Sequence, residues 1–567
     1  MMSEKRLSVS KRERSSPGGT TDNSPARTGG ITLEASNLSP LRRAGCKILS
    51  LATLIMALGS PFVLHASTLL SNAGFESDTN NQNQTIFGWQ TYGPNNFNEA
   101  NATIAHSGTN YFKVYQAFTG AVNYCGVYQD YISGPGAVYS ANGWAYTAST
   151  DALAGQNQAW IEVTFRDAMA NILALYRSAI ITTNSIASGA FPKGVWNHLF
   201  ITNQYDPSTF VLTNTVSNLV APPGTLFVRY QILLQGDANN SAGSVYFDDL
   251  NLALAAGAPY GNYNITWSDE FNGSNINTSI WTYDTGGGGW GNNELEYYTS
   301  RTNNAFVSNG LLHIVARKES YMGASYTSAR IKSEGLFSAK YGRVEWRAQL
   351  PTGVGFWPAL WMLGTNITSI NWPNCGEIDV MENNGSMPMM AQGSIHCGSD
   401  ATAIYHFTDG NAVTNFHTYT LDWTTNALLF YVDGHLYETQ TSWSDSGGAY
   451  PFPFNQPFFF LMNMAIGGNY LGNPSTTAIN AGTVFPGEIL VDYLRIYNVT
   501  DPLQMAIKPS GTNVMLSWPS NIVCRLEVQT NSNPQAIGTN WLVQVTNSNQ
   551  VQVPYRQGSG FFRLISP

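Results

Sequence analysis

The chain has 567 residues, a net charge of −9 and a pI of about 5.4. Only 11% of its residues are charged and 13% are aromatic, while Gly, Asn, Ser and Thr are abundant. This excludes a basic nucleic-acid footprint and a helical bundle, and it fits a turn-rich, all-β protein of two to four domains. No H-E-x-x-H helix, Walker A loop or Rossmann fingerprint occurs. The run Gly286–Gly289 lacks a following Gly-Lys-Ser/Thr and reads as a flexible loop.

Residues 1–66 read as a disordered basic n-region followed by a signal peptide. Arg42, Arg43 and Lys47 precede an apolar run, Ile48 to Leu58, and the small residue Ala66 marks the expected cleavage point. The run falls short of the roughly 20 residues that span a bilayer. A secreted protein is therefore expected, in the medium, the periplasm or at the cell surface, without stable membrane insertion.

Residues 67–254 show short alternating stretches such as Gln158–Phe165 and Gly224–Ile232, the pattern of a β-sandwich. Asn72-Ala73-Gly74-Phe75-Glu76, Gly88-Trp89, Ala105-His106-Ser107-Gly108 and Val245–Leu250 resemble carbohydrate-binding modules of the jelly-roll type. Glu76 with Asp248 or Asp249 offers hard oxygen ligands for a structural Ca²⁺. Trp89, Tyr124 and Tyr128 are candidates for stacking on sugar rings, and a plain spacer is the alternative role. Residues 255–261 read as a linker. A central domain follows over 262–499, and 502–567 read as a small C-terminal β-sandwich of unknown role.

The central domain contains Gly376-Glu377-Ile378-Asp379-Val380-Met381-Glu382-Asn383. Acidic and apolar residues alternate here, as on a strand with one wet face. Glu377 and Asp379 share a face, because side chains alternate with period two. Glu382 falls on the opposite face unless a β-bulge at Val380–Met381 inserts one residue. With the bulge, three carboxylates line one side of the sheet, and the two glutamates can close to about 5–5.5 Å, the separation in a retaining glycosidase. A merely solvated acidic face is the plain alternative. The surrounding aromatics, Phe356, Trp357, Trp361, Trp372 and Trp423, argue for a cleft.

Six further motifs stand in order: Trp267–Phe271, Gly289–Thr299, Tyr341–Glu345, Trp357–Met362, Asn463–Gly468 and Val491–Tyr497. Together with the acidic strand they resemble glycoside hydrolase family 16, in its bulged, laminarinase-like branch, over about residues 262–499. The resemblance implies a concanavalin-like jelly-roll β-sandwich and a secreted, retaining endo-β-1,3-glucanase. Glu377 is then the nucleophile, Glu382 the acid/base, and Asp379 the residue that tunes the pair. No cofactor is implied for catalysis. A structural Ca²⁺ is implied at Glu270, Gly310 and Asp492, mainly through main-chain oxygens. The partner is polysaccharide, β-1,3-glucan, met by a monomer.

Trp357 and Trp361 are four apart and share a strand face, as platforms for glucosyl rings. Trp290 borders the same expected cleft. His396 lies on a strand that hairpins back from Glu382 and can reach Asp379. Asn293, Arg330 and Asn463 are candidate hydrogen-bonding partners of sugar hydroxyls. Face parity separates Cys375 from Cys397, so free thiols are expected. The rival readings are galactan or mixed-linkage β-glucan cleavage on the same fold, and a non-catalytic glucan-binding protein. The last loses its glutamates, and here both are present.

Overall fold

The computed structural model describes residues 68–77, 86–256, 263–408 and 410–499, together with six strands between Ala506 and Ile565. The expected n-region and signal peptide lie outside the described residues, as do 257–261 of the expected linker and the first residue of the expected central domain. The strand Ser244–Ala256 runs two residues past the expected domain end at 254. Among the described residues, no helix is long and apolar enough to cross a membrane.

The N-terminal domain is a two-sheet sandwich. Asn123–Ile132, Phe227–Gly236 and Gln158–Arg166 pair antiparallel in one sheet, and Asn110–Tyr115, Ser244–Ala256 and Val138–Tyr146 in the other. Val138–Tyr146 alternates buried and half-buried along its whole length, as one inward face requires. Phe75, Phe112, Ile161, Tyr230 and Phe247 fill the core. Trp89 belongs to that core and is not a sugar platform: its ring lies 5.6 Å from Phe75, and its Nε1 donates to Asn72 O. Tyr124 is exposed, and Tyr128 lies 3.8 Å beneath the Arg229 guanidinium. On this outer face each acid meets an arginine, Asp130 with Arg229 (2.7 Å) and Glu162 with Arg177 (2.6 Å).

The central domain is the expected sandwich. Its cleft sheet has seven strands: β1 (Thr282–Asp284), β2 (Arg330–Lys332), β3 (Phe356–Gly364), β4 (Glu377–Glu382), β5 (Met390–His396), β6 (Ala401–His406) and β7 (Phe458–Ile466). Their spatial order is β1-β2-β7-β3-β4-β5-β6, antiparallel throughout. Strand β3 shows how the sequence sorts itself. Phe356, Leu360 and Met362 enter the core between the sheets, while Ala359, Trp361 and Leu363 face the other way and form a smaller apolar floor with Cys375, Phe459 and Leu461. The second sheet includes Gly342–Gln349, His417–Trp423, Leu428–Val432, His435–Gln440 and Gly487–Val499. Cys125, Cys375 and Cys397 are free and buried. Cys375 lies in the cleft floor and Cys397 in the core, so parity separates them as expected.

The two sandwiches are joined through more than the chain. His435 pairs with Tyr131, and the Ile132 amide donates to Gly434 O. Ile132, Leu226 and Phe227 of the first domain pack with Ala427, Leu429 and Tyr431 of the second. Arg343 is fully buried at this seam. It forms a bidentate pair with Asp422 (2.7 and 2.8 Å) and donates to Ser133 O across the boundary. Within 502–567 the strands form two three-stranded antiparallel sheets.

Candidate active site

Register fixes the faces of β4. Leu363, Trp361 and Ala359 alternate on the cleft face of β3, and opposite them stand Glu377, Asp379 and Glu382. The register shifts between Leu360 and Trp361, and β4 takes two steps where β3 takes one. Val380 is the extra residue, so the expected bulge exists and brings all three carboxylates to one face. Gly376 precedes them at φ +79°, and a Cβ there would lie 2.8 Å from Pro453 Cγ. Only glycine suits both the conformation and the approach.

Each carboxylate is held by neighbours on the same floor. Trp357 Nε1 donates to Glu382 Oε1 (2.8 Å), and Gln392 Nε2 to Oε2 (3.3 Å). Trp372 Nε1 donates to Glu377 Oε2 (2.5 Å). His396 Nε2 lies 3.3 Å from Asp379 Oδ2, and its Nδ1 lies 3.1 Å from Asp400. Glu377 and Asp379 adjoin on one face, and two buried carboxyl groups this crowded hold a proton between them. Burial pushes both up, followed by the Asp379 charge for Glu377 and the Glu382 charge for Asp379. Burial pushes Glu382 up to about 7. The Asp379 hydrogen bond raises His396 to about 10, so the ring is an imidazolium at neutral pH. Three crowded carboxyl groups facing one cation retain protons near neutrality, as acid/base chemistry needs.

The profile of the glycosyl hydrolases family 16 matches residues 292–481. A β-glucanase from Rhodothermus marinus is 40% identical over 258 residues, 41% of this chain and 85% of that protein. The chain belongs to glycosyl hydrolase family 16. A glucan endo-1,3-β-glucosidase A1 from Niallia circulans is 36% identical over 301 residues, 48% of this chain but only 43% of that enzyme. The laminarinase catalytic domain from Thermotoga maritima MSB8 is 39% identical over 42% of this chain and 100% of its own, with a TM-score of 0.38.

The remaining expected residues of this glycoside hydrolase fall into two groups. Trp357, Trp361, His396, Arg330 and Asn463 converge on the floor, and one row of cross-strand neighbours runs Asp284, Arg330, Asn463, Ala359, Glu382, Gln392. Trp361 is only 8% exposed. Its Nε1 donates to Asn463 Oδ1 (2.7 Å), and the Arg330 guanidinium lies 4.7 Å from its ring, so it serves as floor more than as an open platform. Trp357 stacks on Tyr470 at 5.0 Å. Arg330 pairs with Asp284 (3.0 Å) and also lies over Trp290. Asn293 is turned to Asn469, donating from Nδ2 at 2.7 Å.

Sequence reasoning missed Gln392, Tyr470 and the role of Trp372. Parity along the β5 strand could have found Gln392, which is four residues before His396 on the same face. Nothing local points to Tyr470. Beside Glu382, a cavity of about 180 Å³ is lined by Asn384, Met387, Met390, Gln392, Ile404 and Tyr470.

At the expected calcium site, the Glu270 carboxylate is taken by Arg495 (2.9 and 2.8 Å) and that of Asp492 by Arg347. Their side chains therefore make no cage as they stand, and main-chain oxygens are what remain for a cation. In the N-terminal domain a Cβ on Gly74 would lie 3.5 Å from Asp249 Oδ1 and 3.7 Å from Asp248 Oδ1. Glu76 accepts there from the amides of Thr109 and Asn110, and Asp248 from those of His106 and Ser107. Among the described residues, no cluster of acidic, His or Cys side chains is arranged to hold a metal ion.

Proposed function

We propose that the chain is a retaining endo-β-1,3-glucanase acting by double displacement. The bulge at Val380 carries the reading, because it sets Glu377, Asp379 and Glu382 side by side on the cleft floor. The Glu377 carboxylate attacks the anomeric carbon while Glu382 gives its proton to the leaving oxygen. Glu382, now ionised, takes a proton from water. That water attacks the same carbon and releases Glu377, and the product keeps the β configuration. For attack, the proton between Glu377 and Asp379 must sit on Asp379, and the His396 imidazolium limits the negative charge that gathers there. The substrate class rests on the glucanase relatives of this family 16 domain.

The test is laminarin, lichenan and a galactan series given to the full chain, with products resolved by size and anomer. Oligosaccharides from laminarin with the β anomer first support the reading. Products only from galactan overturn the substrate, and an initial α anomer overturns the mechanism. Glu377→Gln lowers turnover by about 10⁴-fold or more while glucan binding persists, on the scale seen when other enzymes lose their nucleophile; a variant that keeps full turnover removes Glu377 from its role.

The same reading includes export, a monomeric state and glycan attachment by the N-terminal sandwich. It also includes a stabilising calcium held by the main chain of Glu270 and Gly310 with Asp492. Chelation then lowers Tm and leaves kcat at low temperature unchanged; an unchanged Tm rejects the ion.

A further inference from the structure

A second pair of acids lies buried beside the cleft and serves no step above. Glu294 is 8% exposed and Glu296 only 1%. They stand two apart, leading into the short strand Glu296–Tyr298, where alternate residues share a face. Glu296 Oε2 accepts from the Ile466 amide (2.6 Å), and Glu294 Oε2 accepts from the Tyr298 hydroxyl (2.9 Å). The two carboxyl groups adjoin, and burial together with the Glu294 charge raises Glu296 well above the usual carboxylate range. The shared proton therefore belongs to Glu296.

A directed chain of bonds leaves this pair. The Tyr298 hydroxyl donates to Glu294 and spends its proton in that direction. The Tyr298 oxygen is then left as an acceptor, and Asn463 turns its Nδ2 toward it (3.0 Å). That places Asn463 Oδ1 toward Trp361, whose Nε1 donates at 2.7 Å. Trp361 stands opposite Asp379 across β3 and β4. The Asn463 amide orientation at the cleft floor thus follows from one buried acceptor two hydrogen bonds away.

We propose that Glu294 and Glu296 are positioning residues of the cleft: two adjoining buried carboxyl groups with one shared proton, of which Glu294 accepts from Tyr298 and so sets the direction of the Tyr298–Asn463–Trp361 chain. The inference rests on the cleft being the glycan site.

The test compares Glu294→Gln, Glu296→Gln and Glu296→Ala in the full chain. Glutamine at 296 still donates to Glu294, so Glu296→Gln stays within about threefold of the wild-type KM, whereas Glu296→Ala and Glu294→Gln raise it about tenfold with kcat less affected, the size expected when a charged hydrogen bond loses its orientation. Tyr298→Phe replaces Glu294→Gln should that variant not fold, with the same KM effect.

A second readout needs no activity. The folded chain keeps a proton on Glu296 that the unfolded chain releases above about pH 4.3, so wild-type stability falls as pH rises through that point. Glu296→Gln lacks this penalty. Its Tm gain is largest near pH 8 and vanishes near pH 4. A pH-independent Tm difference, or equal KM changes for glutamine at 294 and 296, overturns the proposal. A wild-type chain inactive on every glycan, with the Tm pattern intact, instead overturns the glucanase reading and leaves the shared proton standing.

Discussion

The N-terminal sandwich and the family 16 domain both carry buried acids on the outer face of a sheet, and they treat them in opposite ways. In the first, Asp130 and Glu162 each face an arginine within 2.7 Å. In the second, Glu377, Asp379 and Glu382 crowd together, and among the described residues His396 is the one cation in contact, 3.3 Å from Asp379. Paired acids hold a sheet face together. Acids left short of cations retain protons and are costly to keep buried, and that cost makes them reactive.

The sharpest break of this contrast is at Glu382. Glu382→Gln lowers kcat/KM on glucan by about 10²–10⁴-fold, the range for a positioned acid/base. Much of the first step returns with a substrate whose leaving group needs no proton, and a loss that persists there removes Glu382 as the acid. In the wild type, Glu382 is pushed up to about 7, so kcat/KM falls as pH rises through 7 and the acid loses its proton. That alkaline limb disappears in Glu382→Gln, and its persistence would assign the limb to another group.

Stability distinguishes the two faces next. Replacing Arg343 by Met leaves Asp422 charged and buried, which costs about 3–5 kcal/mol, read as a fall in denaturant midpoint. In the cleft the sign reverses. The Glu377–Asp379 pair is raised in the folded state, so the folded pair keeps a proton that the unfolded chain gives up above about pH 4.3, and stability drops as pH rises. Glu377→Gln therefore raises Tm near pH 8 and leaves it unchanged near pH 4. Glu162→Gln, which unpairs Arg177, lowers stability at neutral pH by the smallest amount of the set, about 1–3 kcal/mol, read as a fall in Tm. Equal signs for Glu377→Gln and Glu162→Gln would dissolve the contrast.

Much of this site could be read from spacing alone. The alternation of Glu377, Ile378 and Asp379 with Glu382 one step out of phase demands a bulge, and register places it at Val380. Cys375 and Cys397 separate by the same parity. Long-range contacts were not legible. Trp361 shares the Trp357 face, but its covering by Arg330 and its bond to Asn463 depend on strands over thirty and a hundred residues away. Tyr470 reaches Trp357 from a 3₁₀ turn with no local signature. Trp89 packs inward on Phe75 and is held by its bond to Asn72 O, contacts that adjacent residues do not announce.

The seam around Arg343 makes the covalent link between the two sandwiches partly redundant. A protease cut within 257–262 would sever the polypeptide, yet the Ser133 carbonyl, the His435–Tyr131 pairing and the Ile132–Leu429 packing would remain. The nicked fragments would travel together on a sizing column and part only in denaturant.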